Sequence, residues 1–434
     1  MTDTTIINVL GRRVWDSRGR PTVEVDVRLK CGAFGRAIAP AGASMGSGEA
    51  VDLRDGGEAF GGLNVGRAVA AVNEEIGPAL VGMDADLQEE VDRAMITLDG
   101  TGNRGRLGGN AIVATSMAVL QARAAAEKVP LWQYLAAGRD VRLPLPEIQI
   151  FGGGAHAARR VDIQDFMIMC PAAGSFAEAL DWTAEVYRTA GLLMKKRGSL
   201  QGVADEGGYW PAFRSNEEVL EALVKSIEMA GFKPGDEVGI SLDVAASEFG
   251  KAGVYTLALG NTSYDTDEWI SILGQWLDDY PILSVEDPLG EDDRQGFQTF
   301  TRLYGGRCQI IGDDYLVTNA ARVSEAAKDK AVTAVLIKPN QAGTITEAFQ
   351  ALAAAREQGL GTIVSARSGE SEDVIISHLS TGWDAGQLKV GSFSRSERMA
   401  KWNECLRIEE ALGSRARFAG RDGLAFAPWD REES

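Results

Sequence analysis

The sequence predicts an α/β protein, with a C-terminal (β/α)8 TIM-like barrel behind a smaller N-terminal α+β domain. Three observations predict it. Short apolar runs recur after residue 146, and they stop at charged or polar residues. Helical stretches such as TEAFQALAAAREQG (346–359) lie between them. Six or more βα units in a row favour a closed barrel over a doubly wound sheet. No strand is followed by G-x-G-x-x-G, which weakens a dinucleotide-binding alternative.

The elements follow in order. PTVEVDVRLK (21–30) alternates like a strand with one wet face. Residues 32–50 begin as a strand and dissolve into glycine, alanine and serine, which predicts a mobile loop over 40–50. Residues 66–97 and the Ala-rich 110–128 read as helices. This part is taken as one domain, 1–140, and LPLP (143–146) marks a seam, because proline stops helices and stiffens connections. Residues 141–434 form the barrel. Its strands are expected at IQDFMIM (163–169), VGISLD (238–243), ILSVED (282–287), QIIGDD (309–314), AVLIKPN (334–340), GTIVSAR (361–367) and QLKVG (387–391).

Composition narrows the function. The chain has 434 residues and a net charge of −18. That acidity argues against nucleic-acid or anionic-membrane partners, but allows an anionic small substrate where positive groups converge. The four cysteines, Cys31, Cys170, Cys308 and Cys405, form no CxxC pair, so buried thiols in a reducing cytoplasm are expected. The N-terminus has no signal-peptide pattern and no run is long enough to span a membrane. With two histidines, His156 and His378, acid–base chemistry must lean on carboxylates and lysines. His378, in IISHLSTG, reads as a structural helix residue.

Barrel strands deliver their C-terminal ends to one face, and that face carries the chemistry. The residues at those ends are Asp243, Glu286, Asp313, Lys338, Arg367 and Lys389. Acids on three successive strands form a hard oxygen set suited to Mg²⁺ or Mn²⁺. A helix-capping role explains one such acid well, but not three followed by two lysines and an arginine. A lysine beside a metal and another lysine is expected to shift toward its neutral form and serve as a general base. Metal on a substrate carboxylate would stabilise the dianion left by α-proton removal. The combination points to enolisation of a carboxylic acid.

The same residues carry a resemblance to the enolase family, over essentially the whole chain. The matching motifs include WDSRGRPTVEVDV (15–27), LDGTGNRGRLGGNAI (98–112), GGAHA (153–157), ADEGG (204–208), SLDVAASEF (241–249), KPNQAGT (338–344), ARSGESED (366–373) and KVGSFSRSERMAKWNECLRIEEALG (389–413). The resemblance implies one or two Mg²⁺ ions. Asp243, Glu286 and Asp313 would hold the first, and Ser44 would help with a second. It implies Lys338 as the base, Lys389 on the substrate carboxylate, and Glu206 as the acid for the leaving hydroxyl. Arg367 and Ser368 would grip a phosphate, Gln164 and Asp165 would line the pocket, and His156 would lie near the phosphate or leaving group. A cytoplasmic homodimer acting on a small phosphorylated anion is implied as well.

The chain departs from the family pattern around the leaving group. The family reads S-H-R-S where this chain has Ser365-Ala366-Arg367-Ser368, so a histidine is missing. Nearby, N-G-G-S-H-A has become Gly152-Gly153-Gly154-Ala155-His156-Ala157, and Gln-Glu has become Gln164-Asp165. The charged core is intact while its polar surroundings have shrunk. The expectation is a divergent paralogue with an altered second step or substrate, such as a carboxyphosphonoenolpyruvate synthase of phosphonate biosynthesis. An ordinary enolase and a non-catalytic binding protein are the other readings.

Overall fold

The computed structural model describes residues 2–43 and 46–426. The chain opens with an antiparallel sheet of β1 (Ile6–Trp15), β2 (Pro21–Leu29) and β3 (Phe34–Ile38). The first of these was not anticipated. The Ala-rich helix Gly109–Glu127 lies against β2 and β3 and is buried almost throughout. Its approach is close because Gly35 carries no side chain: a Cβ there would sit 2.1 Å from the Ala118 carbonyl oxygen. The single helix expected over 66–97 is broken. Gly66–Ala71, a π turn at Val72–Ile76 and Gly77–Leu80 end where Gly82 turns with φ +94°, and Gln88–Asp99 follows as a separate helix. The break lets residues 82–83 pair with β1, through Ile6 N to Met83 O at 2.8 Å and Gly82 N to Ile6 O at 2.9 Å.

The expected barrel is present and closed. Its strands are β4 (Leu145–Gly152), β5 (Asp165–Met169), β6 (Gly239–Asp243), β10 (Ile282–Glu286), β11 (Gln309–Gly312), β12 (Ala334–Ile337), β13 (Gly361–Ser365) and β14 (Gly386–Ser392). A small three-stranded sheet follows β6: β7 (Gly250–Lys251), β8 (Val254–Leu257) and β9 (Thr262–Asp265).

Two features differ from a regular βα repeat. First, the eighth strand is β4, which begins inside the presumed seam. Pro146 is tolerated near the start of the strand, where a missing N–H costs little. Second, β5 runs antiparallel to both β4 and β6. A parallel return needs a crossover of a dozen or more residues, usually a helix. Only a short 3-10 turn, Gly154–Ala157, stands between β4 and β5, so the chain reverses instead. The helices Phe176–Lys196 and Asn216–Met229 both come between β5 and β6.

Leu145, Met169, Ala419 and Leu424 close the far end of the barrel as a separate apolar cluster. Among the described residues, no helix is long and apolar enough to cross a membrane. Cys170, Cys308 and Cys405 are buried free thiols, and Cys31 is exposed. His378 lies in the helix Ile375–Gly382 with Nε2 3.4 Å from Glu404.

Candidate active site

Asp243 ends β6 and Glu286 ends β10, paired in register; Asp313 follows β11 directly. All three are buried. The two lysines sit among them. Lys389 Nζ lies 2.8 Å from Asp243 Oδ2, 2.6 Å from Glu286 Oε2 and 3.8 Å from Asp165 Oδ2. Lys338 Nζ bonds Asp313 Oδ2.

This interleaving sets the electrostatics. Burial pushes the Glu286 carboxyl well above the usual carboxylate range, and the charge of Asp243 adds to it. Asp313 goes the other way, because Lys338 overcomes its burial. Burial, Arg367 and Lys389 all lower the pKa of Lys338, but in the metal-free site contact with Asp313 outweighs them and raises it.

The residues fit a divalent cation. Glu286 Oε1 and Gln164 Oε1 are buried without a hydrogen-bond partner. Such acceptors are costly unless something else satisfies them, and these stand beside carboxylates on adjacent strand ends. A second acid group, Asp287, Asp313 and Asp314, is also tight, with ligand atoms within 4.8 Å of one another. There Asp287 is already engaged, accepting from Asp313 N at 2.9 Å and Asp314 N at 2.7 Å.

The facing wall owes its form to the reversed strand. Because β5 is antiparallel, its N-terminal end points to the face where the other strands end, so Gln164 and Asp165 arrive beside Asp243. Gln164 Nε2 donates to Asp243 Oδ2 at 3.0 Å. Asp165 Oδ1 lies 2.9 Å from His156 Nδ1 and also accepts from Gln149 Nε2. His156 Nε2 lies 2.9 Å from Ser368 Oγ and 3.7 Å from Glu206 Oε1. Burial alone would lower the His156 pKa, but Asp165 and Glu206 raise it to about 9. Asp165 falls to about 2 against its own burial, held chiefly by His156. Glu206 is presented by a tight turn in which Gly207 has φ +97°, where a Cβ would sit 2.6 Å from the Ser394 carbonyl oxygen.

Arg367 is not open toward the cavity alone. Its guanidinium holds Glu49, with Nη1 to Oε2 at 2.9 Å and Nη2 to Oε1 at 3.3 Å. Ala366 lines the same small cavity, of about 20 Å³, together with His156, Gln164, Asp165, Glu206 and Lys389. Asp243, Lys338, Arg367 and Ser368 line it too, and Glu286 and Asp313 join through the lysines. Ser44 lies outside the described residues.

Sequence reasoning missed several contributors. Glu49 was hidden in a glycine-rich segment that read as loop. Gln341 bridges Asp313 Oδ1 at 2.9 Å and Glu49 Oε1 at 3.3 Å, and was passed over because it follows the strand by several residues. Glu147 and Gln149 lie on β4, a strand that was not foreseen. A polar residue on alternate positions of an otherwise apolar run, as in LPEIQIF, was the available signal.

Residues 6–135 match the family described as "Enolase, N-terminal domain", and residues 140–426 match "Enolase, C-terminal TIM barrel domain". A curated relative, "Enolase 1" of Desulfitobacterium hafniense (strain Y51), is 48% identical over 425 residues, which is 97% of each chain.

Proposed function

The chain belongs to the enolase family and is a lyase-type enzyme of that family, and on this premise we propose that it removes the α-proton of a 2-phosphoglycerate-type substrate to form an enolpyruvyl product. One observation carries the reading. Lys338, directly after β12, and Lys389, on β14, line one buried cavity together with His156 and Glu206. Basic and acidic groups gathered around one cavity support a reading in which α-proton removal and β-group departure need both.

Asp243, Glu286 and Asp313 would hold a magnesium ion, with Ser44 assisting a second, and the ion would supply positive charge to the substrate carboxylate. Lys338, as the neutral amine, would take the α-proton. Lys389 orients the carboxylate. Arg367 exchanges Glu49 for the phosphate, to which a planar guanidinium offers two parallel donors. His156, as an imidazolium, donates to Ser368 Oγ, leaving the hydroxyl proton of Ser368 free for a phosphate oxygen. Glu206 assists the leaving group. Residues 1–140 contribute the 40–50 segment, and residues 141–434 the rest. A cytoplasmic homodimer is part of the proposal.

The second step is read as altered. Ala366 offers no titratable group beside Glu206, which supports an altered step such as carboxyphosphonoenolpyruvate synthesis. The likeness to a relative named Enolase 1 favours the other reading, simple dehydration to phosphoenolpyruvate. The test is α-proton exchange of 2-phosphoglycerate in D₂O with Mg²⁺, followed by NMR, with Lys338→Ala as control. Exchange with little phosphoenolpyruvate supports the altered step, and product appearing only with a phosphono co-substrate identifies it. Exchange with prompt phosphoenolpyruvate makes the chain an ordinary enolase. No exchange sinks 2-phosphoglycerate as the enolised substrate.

A further inference from the structure

Glu147 is a buried acid that this mechanism does not use. It lies on β4, a strand buried along its whole length, and is itself 0% exposed. In the β14–β4 pairing it stands opposite Lys389. Paired residues share a face, so both side chains enter the barrel lumen. Glu147 Oε2 accepts from Ser241 Oγ at 2.9 Å, two residues before Asp243 on β6, and Oε1 has no hydrogen-bond partner. A carboxyl buried with one hydroxyl partner is expensive, which demands a reason for its presence.

The reason lies in what Lys389 touches. Its ammonium sits on Asp243 and Glu286, and a divalent cation needs oxygens of the same two side chains. When a cation takes them, Lys389 loses its counter-charges and faces the cation. Three nearby acids have cationic partners of their own: Asp165 has His156, Glu49 has Arg367, and Glu206 has Arg398 at 3.9 Å. A divalent cation at those oxygens adds positive charge beside Lys389 while taking its partners, and an ionised Glu147 offsets it.

We infer that Glu147 is a positioning residue that holds the reserve counter-charge for Lys389, and so sets how tightly the Asp243–Glu286–Asp313 site binds a divalent cation. This rests on the metal reading of those acids. Its free oxygen is the acceptor Lys389 turns to when the strand-end carboxylates are occupied.

The experiment is calorimetric titration of the full-length protein with Mg²⁺ alone, at mildly alkaline pH and without substrate. Glu147→Gln keeps the shape and the bond to Ser241, and is expected to weaken Mg²⁺ binding by about tenfold or more. Ser241→Ala removes the hydrogen bond but keeps the charge, and is expected to bind Mg²⁺ within about twofold of wild type. Unchanged affinity in Glu147→Gln overturns the inference. So does an equal loss in both variants, which would make the role one of packing. If Glu147→Gln does not fold, Ser241→Ala still decides, because a tenfold loss there contradicts a charge-based role. Asp243→Asn separates the two levels: if it binds Mg²⁺ as wild type does, the metal reading itself falls, and the inference with it.

Discussion

His156 and Ser368 are joined by a contact of 2.9 Å between Nε2 and Oγ, although 212 residues separate them in the chain. The other ring nitrogen lies 2.9 Å from Asp165, so the imidazole is held from both sides. With a pKa raised to about 9, His156 is protonated throughout the neutral range and both nitrogens donate. Ser368 Oγ is then an acceptor from His156, not a nucleophile activated by it. We predict that NMR titration finds His156 charged at pH 7, and that Asp165→Asn lowers its pKa markedly, since burial then meets less opposition. With only His156 and His378 in the chain, one substitution assigns both resonances. A wild-type His156 that is neutral at pH 7 contradicts the prediction.

Lys401 and Glu370 form a second buried pair, at 3.0 Å, with Lys401 at 0% side-chain exposure. Lys401 Nζ also donates to the Ser371 carbonyl at 2.6 Å. Glu370 Oε1 in turn accepts from Arg367 N at 3.0 Å, so this pair shapes the loop that carries Arg367 and Ser368. Lys401→Met leaves Glu370 buried and uncompensated, which costs about 3–5 kcal/mol. Adding Glu370→Gln is expected to recover part of that loss. Urea denaturation of the single and double variants measures both; strictly additive losses would mean the two side chains are not coupled.

Much of this was legible in the chain because strand-end chemistry repeats. Asp243, Glu286, Lys338 and Lys389 each end or follow an apolar run, so their convergence could be anticipated from barrel topology alone. What was not legible depends on tertiary context. A reversed β5 cannot be told from a parallel one by periodicity, yet it is what brings Asp165 to His156. β4 was obscured by Pro144 and Pro146. The partners of Arg367 and Asp313, Glu49 and Gln341, come from segments with no strand or helix period of their own. The contact of Lys338 with Asp313 was not legible either, because the spacing of charges along a sequence does not reveal which carboxylate a lysine will touch.

Asp373 ties the two parts of the chain together. Its carboxylate accepts from Ile38 N at 3.0 Å on β3 and from Ile375 N at 2.9 Å at the head of the helix Ile375–Gly382. Burial pushes its pKa up to about 6, outweighing those two bonds and Lys401. The folded pKa therefore lies above the unfolded one, and the ionised form costs stability above about pH 6. As pH falls from there toward about 4, the folded protein takes up the proton first and the cost is relieved, by up to roughly 2–3 kcal/mol. Asp373→Asn lacks this titration. Measured against it, wild type is expected to gain relative stability between neutral pH and pH 4 to 5. A flat difference across that range would place the Asp373 pKa at its ordinary value.

Ala366 is the sharpest test of what the leaving-group side has become. Its N–H donates to the Lys389 carbonyl at 2.8 Å, which fixes the backbone, and its methyl faces the cavity shared with Glu206 and Ser368. Ala366→His would return a titratable ring to that wall without touching the metal acids or Lys338. General acid–base participation by one well-placed group is worth about 10²–10⁴-fold. The expected outcome is therefore phosphoenolpyruvate formation from 2-phosphoglycerate that is faster by about 10² or more, with α-proton exchange unchanged within about twofold. Exchange by NMR and product by absorbance read the two steps separately. If both rise together, Ala366 had been limiting the approach of substrate and not the second step. If neither moves, the missing side chain is not what separates this site from one that dehydrates 2-phosphoglycerate.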